Sequence, residues 1–341
     1  MGYKLSNEQV NELFQNLKKD YRIFAPKRFK KQGRYSDTDI IRYDEVDMVE
    51  DIVYKEKSHY SAKEVLTPIN QTIFYFTEDE FKESKLKDNR GILIFLRPCD
   101  INAIERQDKI YLENGFEDFF YKRIRDKVKF IMMECVEGWD TCFCTAMNSN
   151  KTDNYSMAVR FEDDGLLFEV KDKEFDSYFI KRPEADFQVQ FIEKNQAEVN
   201  VPKIPNKEVL KKVKEHPMWK EYDKRCEGCG SCTVACPTCT CFTTMDVMYN
   251  ENANVGERRR IMSSCNIDGF DQVAGGHIFR STVGDRMRYK VLHKVYDFKE
   301  RFGENMCVGC GRCTSRCPQF ISMTATINKL NNAVTEIINE K

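Results

Sequence analysis

Long apolar runs are missing from this sequence of 341 residues. No stretch reaches the roughly 18 consecutive apolar residues of a membrane-spanning helix. The start, Met1-Gly2-Tyr3-Lys4-Leu5-Ser6, passes straight into polar sequence without the apolar centre of a signal peptide, so a cytoplasmic location is expected. Charge of one sign is lacking too. The 54 Lys and Arg stand against 55 Asp and Glu, a net charge of −1, and neither nucleic acid nor a membrane surface is an expected partner. Histidine is scarce, and His59, His216, His277 and His293 fall in no paired metal spacing. A G-x-G-x-x-G fingerprint, a P-loop and a nucleophile elbow are all absent, so the chain is expected to have no catalytic residues and no nucleotide site of its own.

Cysteine, by contrast, is abundant. Fifteen cysteines are an odd number and no export signal accompanies them, which argues against a disulfide framework. Reduced thiolates in a reducing compartment are metal ligands first.

The composition, 41% hydrophobic and 32% charged, is that of a globular protein with a real core, and the length suggests about two domains. Val10, Leu13, Phe14 and Leu17 predict a helix from about Ser6 to Asp20, with Ser6 as its N-cap. A polar, charge-dense stretch to about Glu64 carries no clear period. Gly91–Leu96 and Val128–Met133 read as buried strands, with a helix over Ile101–Leu112 between them: a βαβ unit with parallel neighbouring strands. From Tyr155 to Val201 the period drops to two, as in Phe187, Val189 and Phe191, which predicts a small antiparallel sheet. Pro202, Pro205 and the lysine-rich run to Arg225 read as a linker and a solvated helix. The expected architecture is α+β: an N-terminal α/β domain over 1–205 and an α-helical ferredoxin-like domain over 206–341. In the latter, Met287, Val291, Val295, Phe298 and Phe302 line one helix, and Met323, Ile327, Leu330, Val334 and Ile337 line another.

The helical domain is organised by an internal repeat. Cys226-x2-Cys229-x2-Cys232-x3-Cys236-Pro237 and Cys307-x2-Cys310-x2-Cys313-x3-Cys317-Pro318 both match the bacterial ferredoxin run. Three thiolates two residues apart wrap one cubane face. Gly228, Gly230, Gly309 and Gly311 remove the Cβ atoms that would obstruct it. The fourth cysteine, before proline, points away and ligates the other cluster in two-cluster proteins. Cys226, Cys229, Cys232 and Cys317 are thus assigned to one [4Fe–4S] cluster, and Cys307, Cys310, Cys313 and Cys236 to the other. Structural zinc would have no use for a third cysteine in each run. Ten Lys and Arg between Arg258 and Arg301 either surround these negative centres or form a solvated helix face. Cys239, Cys241 and Cys265 are left to packing or supporting roles.

Cys99, Cys135, Cys142 and Cys144 lie outside the repeat. Cys99 and Cys135 each fall just past one of the two predicted parallel strands, where the crevice of an α/β sheet usually holds its ligand. Cys142 and Cys144 follow on one loop. These four are expected to hold a third [4Fe–4S] cluster, the alternative being buried free thiols.

Arg97-Pro98-Cys99-Asp100, Glu134-Cys135 through Cys144, Cys236-Pro237-Thr238-Cys239, Val273-Ala274-Gly275-Gly276-His277 and the two ferredoxin runs together resemble the iron–sulfur subunit of anaerobic sulfite reductases. More distantly they resemble the iron–sulfur β subunit of cytosolic sulfhydrogenases. The resemblance implies electron transfer from a flavin-containing subunit, which oxidises a nicotinamide cofactor, to a sirohaem subunit that reduces sulfite to sulfide. A ferredoxin is a further candidate partner. A sulfhydrogenase or sulfur-reductase β subunit is the alternative within this class, and a cluster-based redox sensor the alternative outside it. Sulfite enters only through the resemblance.

Overall fold

The computed structural model describes residues 1–251 and 253–340. It is a mixed α+β protein, sheet-rich in its N-terminal part and helical where the cysteine runs lie. Its strands are, in chain order, β1 (Gly2–Ser6), β2 (Tyr21–Phe29), β3 (Ile40–Glu45), β4 (Asn70–Phe76), β5 (Phe81–Glu83), β6 (Gly91–Leu96), β7 (Val128–Met133), β8 (Met157–Glu162), β9 (Gly165–Val170), β10 (Phe242–Met248) and β11 (Gly256–Met262). Two compact units form. The first comprises Met1–Glu137, Asn150–Ile192 and Phe242–Met262; the second comprises Gly138–Ser149, Glu193–Cys241 and Ser263–Lys341.

The first unit is built on a seven-stranded sheet of order β1-β9-β8-β7-β6-β2-β3. β6 and β7 are the parallel neighbours that the apolar runs require, with Ile92 opposite Val128 and Leu96 opposite Met132. The helix Pro98–Tyr111 lies in the crossover between them. Side chains alternate across this sheet. Leu93, Phe95, Ile131 and Met133 join Val10, Leu13, Phe14 and Leu17 of the helix Asn7–Leu17 in one core. Ile94, Leu96, Phe130 and Met132 meet Ile101 and Ile104 of the crossover helix in another. Both faces are covered, so the sequence shows no polar alternation there. Each such burial contributes about 1.5–3 kcal/mol. Ser6 caps its helix through a reciprocal box with Gln9, as the spacing predicts.

Three expectations for this unit are corrected. The polar stretch before Glu64 contains β2 and β3; only Ile23-Phe24-Ala25 of β2 is fully apolar, and charged flanks hide the rest. The period-two residues divide. Met157–Val170 forms a β8–β9 hairpin on the large sheet, whereas Phe187–Phe191 makes a single bridge to Cys135 and no strand. Side chains hold that segment instead: Glu134 accepts from the Gln190 amide at 2.7 Å, and the Arg160 guanidinium stacks on Phe187 at 4.9 Å. The gap between the two ferredoxin runs, read as helical, contains the β10–β11 hairpin, which completes a four-stranded sheet with β4 and β5. Arg258, Arg259 and Arg260 belong to β11, and each pairs with a carboxylate (Asp246, Glu257 and Asp118).

The second unit is helical. Lys207–Glu215, capped by Asn206, buries Val209 and Val213. A longer helix begins at Val283 and passes through a π-helical turn, His293–Asp297, into Phe298–Phe302. Met323–Asn339, capped by Ser322, buries Ile327, Leu330, Val334 and Ile337 in the core of its own unit. The Tyr222 hydroxyl donates to Thr326 Oγ1 at 2.9 Å and ties that helix to the residues preceding Cys226.

Candidate metal centre

Both ferredoxin runs fold as a loop followed by a single helical turn, Ser231–Val234 in the first and Arg312–Ser315 in the second. The turns begin at left-handed glycines, Gly230 and Gly311. Gly309 and Gly311 have a further reason to lack side chains. A Cβ on Gly309 would lie 2.4 Å from the Phe143 carbonyl carbon, and one on Gly311 2.1 Å from the Thr141 carbonyl oxygen. The constraint on these two is the backbone of the 141–144 loop, in addition to any need of a cluster.

The cysteines gather in two sets. Cys226, Cys229, Cys232 and Cys317 line one cavity, whose wall also includes Cys313, Met287, Lys290 and Ile321. Burial first, then the sulfurs of Cys232, Cys317 and Cys229, push the Cys226 thiol up, while the Gly228 amide opposes them. In the other set, burial and the sulfurs of Cys236, Cys310 and Cys307 push Cys313 up. Cys307 rises to about 12, mainly through burial. Each set therefore takes three sulfurs from one run and the last from the other. Cys313, on the wall of the first cavity, sits where the two sets approach.

Donors face the sulfurs. The Gly309 amide donates to Cys307 Sγ at 3.4 Å, and Asn266 Nδ2 to Cys232 Sγ at 3.4 Å. Thr238 Oγ1 lies 3.4 Å from Cys236 Sγ. The Cys239 thiol hydrogen-bonds Cys236 and, against burial, holds it well below the usual thiol range, with Lys294 and Lys290 adding to the effect. Cys241 is drawn down to about 7, chiefly by its hydrogen bond with Cys265, whose own thiol that bond and burial push up. Four sulfurs around a cavity, with amides and cations directed at them, form the donor set that an anionic iron–sulfur cubane requires.

Lys290, Lys294 and Asn266 are the contributors that the cysteine motifs do not announce. The lysines did leave a signal. They fall at the i+3 and i+7 positions of the stripe that starts at Met287, where an apolar residue is expected.

The remaining predicted ligands divide between the units. Cys99, in the first turn of the helix Pro98–Tyr111, and Cys135, just beyond β7, belong to the first unit. The Cys135 carbonyl accepts from the Ile192 amide at 2.7 Å. Cys142 and Cys144 belong to the second unit and are buried there. Cys142 Sγ lies 3.7 Å from the Cys310 carbonyl, and Cys144 Sγ lies 3.6 Å from Asn195 Oδ1.

A family described as a 4Fe-4S dicluster domain matches residues 225–321, the span of both runs. The sulfhydrogenase 2 subunit beta of Pyrococcus furiosus is 30% identical over 345 residues, covering 97% of this chain and 98% of that protein. The chain belongs to the sulfhydrogenase β-subunit family. No solved structure matches. The chain is accordingly an iron–sulfur electron-transfer subunit of an oxidoreductase that uses [4Fe–4S] clusters. Among the described residues no helix is long and apolar enough to cross a membrane.

Proposed function

We propose that this chain relays electrons through two [4Fe–4S] clusters in a cytoplasmic, multisubunit reductase of sulfur compounds. Cys226, Cys229, Cys232 and Cys317 hold one cluster, and Cys236, Cys307, Cys310 and Cys313 the other. The observation that carries this reading is the cavity lined by Cys226, Cys229, Cys232 and Cys317, which brings three sulfurs of one run together with the last of the other.

In the assembly, a flavin-containing subunit oxidises a nicotinamide cofactor and feeds the clusters, with a ferredoxin as a further candidate donor. A sirohaem subunit receives the electrons and reduces sulfite to sulfide. The motifs at Arg97–Asp100, Cys236–Cys239 and Val273–His277 support that pairing. A second reading places the same relay in a sulfhydrogenase, and the near full-length identity to a sulfhydrogenase β subunit favours it. Anaerobic co-purification separates the two. A complex with flavin and sirohaem that makes sulfide from sulfite supports the first, and one with hydrogenase activity and no sirohaem supports the second. A chain purified alone with no iron overturns both.

A third cluster on Cys99, Cys135, Cys142 and Cys144 is a separate proposal. It rests on two cysteines that follow adjacent parallel strands and two more on the succeeding loop. Full reconstitution to about twelve irons per chain supports it, and saturation at about eight reduces these four to packing residues.

A further inference from the structure

Of the ten cations between Arg258 and Arg301, eight either pair with a carboxylate or are exposed. Three sit on β11 with carboxylates, and Arg280, Arg286 and Arg288 pair with Asp271, Asp268 and Asp285. Lys299 and Arg301 are exposed. Lys290 and Lys294 differ from all of these. They are 2% and 3% exposed and lie one helical turn apart, the second within the π-helical turn.

Their hydrogen-bond partners are hydroxyls and sulfurs, and among the described residues neither has a carboxylate. Lys290 Nζ donates to Thr233 Oγ1 at 2.9 Å, lies 3.9 Å from Cys239 Sγ, and lines the cavity of Cys226, Cys229, Cys232 and Cys317. Lys294 Nζ donates to Thr238 Oγ1 at 2.8 Å, and that hydroxyl reaches Cys236 Sγ. The same residue holds the second set by its backbone: its carbonyl accepts from the Cys307 amide at 3.1 Å. Two buried ammoniums without carboxylates are strongly unfavourable unless another negative charge compensates them. The charge available is that of the thiolates and whatever those thiolates bind.

We propose that Lys290 and Lys294 poise the two clusters, one lysine to each. Lys290 serves the cluster of Cys226, Cys229, Cys232 and Cys317; Lys294 serves the cluster of Cys236, Cys307, Cys310 and Cys313. Each reduced cubane carries one more negative charge than its oxidised form. A fixed cation beside it therefore stabilises the reduced state and raises the potential, and cluster potentials respond to such charge and to hydrogen bonds at sulfur. The π-helical turn is part of the device: it frees the Lys294 carbonyl for Cys307 while the side chain turns toward Thr238. This inference rests on the eight cysteines being cluster ligands.

The test is a redox titration of the full chain, reconstituted anaerobically and followed by EPR, after its iron and sulfide have been measured. Lys294→Met is expected to lower the potential of one component by at least the 59 mV that equals a tenfold shift in a one-electron equilibrium. Lys290→Met is expected to lower the other component by as much. Lys290→Arg and Lys294→Arg restore both, and Lys299→Met on the exposed face moves neither. Unmoved potentials at full iron content overturn the proposal, as does an arginine variant displaced as far as its methionine counterpart. Should the methionine variants lose iron, glutamine and arginine replacements decide: clusters retained with arginine and lost with glutamine support the role of charge, and loss with both overturns it. A wild-type chain that takes up no iron and sulfide instead overturns the cluster reading beneath the proposal.

Discussion

The backbone amide of Phe143 donates to the carbonyl of Gly309 at 2.7 Å. This bond fastens the loop of Cys142 and Cys144 to the second ferredoxin run. Ser149 reinforces it, donating to the Val308 carbonyl at 2.7 Å. Gly309 has a φ of +62° and no room for a side chain. Gly309→Ala should therefore cost at least about 2 kcal/mol, from left-handed strain and displacement of the loop. Chemical denaturation of the reconstituted chain, followed by its iron absorbance, measures this; an unchanged midpoint would show that the loop yields freely.

The proposed exchange of ligands makes an asymmetric prediction. Cys317→Ala should damage the cluster of Cys226, Cys229 and Cys232, and Cys236→Ala the cluster of Cys307, Cys310 and Cys313. EPR of the two variants distinguishes them. If Cys317→Ala removes only the signal that also disappears in Cys310→Ala, each run keeps its own fourth cysteine.

The terminal helix is a structural element of its own unit. Leu330 is fully buried and Ile338 is 41% exposed. Leu330→Ala should destabilise the second unit by about 2–5 kcal/mol. Ile338→Ala should stay within about 0.5 kcal/mol. Thermal unfolding of the isolated chain compares them, and equal effects would show that Ile338 packs within the chain as fully as Leu330.

His293 gives the second unit a pH dependence. Burial first, then the charges of Lys294 and Lys290, lower its pKa from 6.5 to about 4. Between these values the folded chain binds fewer protons than the unfolded one. Stability is therefore complete above about pH 6.5 and declines as pH falls toward 4, by about 2 kcal/mol on reaching about pH 5. His293→Phe, which can keep the stack on Tyr289, should remove that share of the slope between denaturation curves at pH 7 and pH 5. An identical slope in the variant would assign the pH dependence to other groups.

The parts of this protein legible in its sequence are those with a short repeat or a dense local pattern. β6, β7, the first helix and the two cysteine runs each declare themselves within about a dozen residues. β2 and β3 do not, because β2 takes its other partner from the distant β6 and charged residues flank the short apolar stretches of both. The β10–β11 hairpin joins its sheet through the pairing of β11 with the distant β4, with Gly256 opposite Phe76, which no local pattern announces. The proposed cluster ligands follow from spacing alone, since the same interval of cysteines recurs in both runs. The sequence left the cations of this segment open between cluster neighbours and a solvated helix face, because a lysine in a helix usually faces water. Only their place on the Met287 stripe distinguishes Lys290 and Lys294 from Lys299.

The central claim is that the eight cysteines of the repeat hold two cubanes that carry electrons. Its most direct test is iron and acid-labile sulfide analysis of the anaerobically reconstituted full chain, with EPR after reduction. The account predicts at least about eight irons, a matching amount of sulfide, and the signals of two interacting reduced clusters. Bound zinc without labile sulfide, or a single cluster that survives loss of either run, would contradict it.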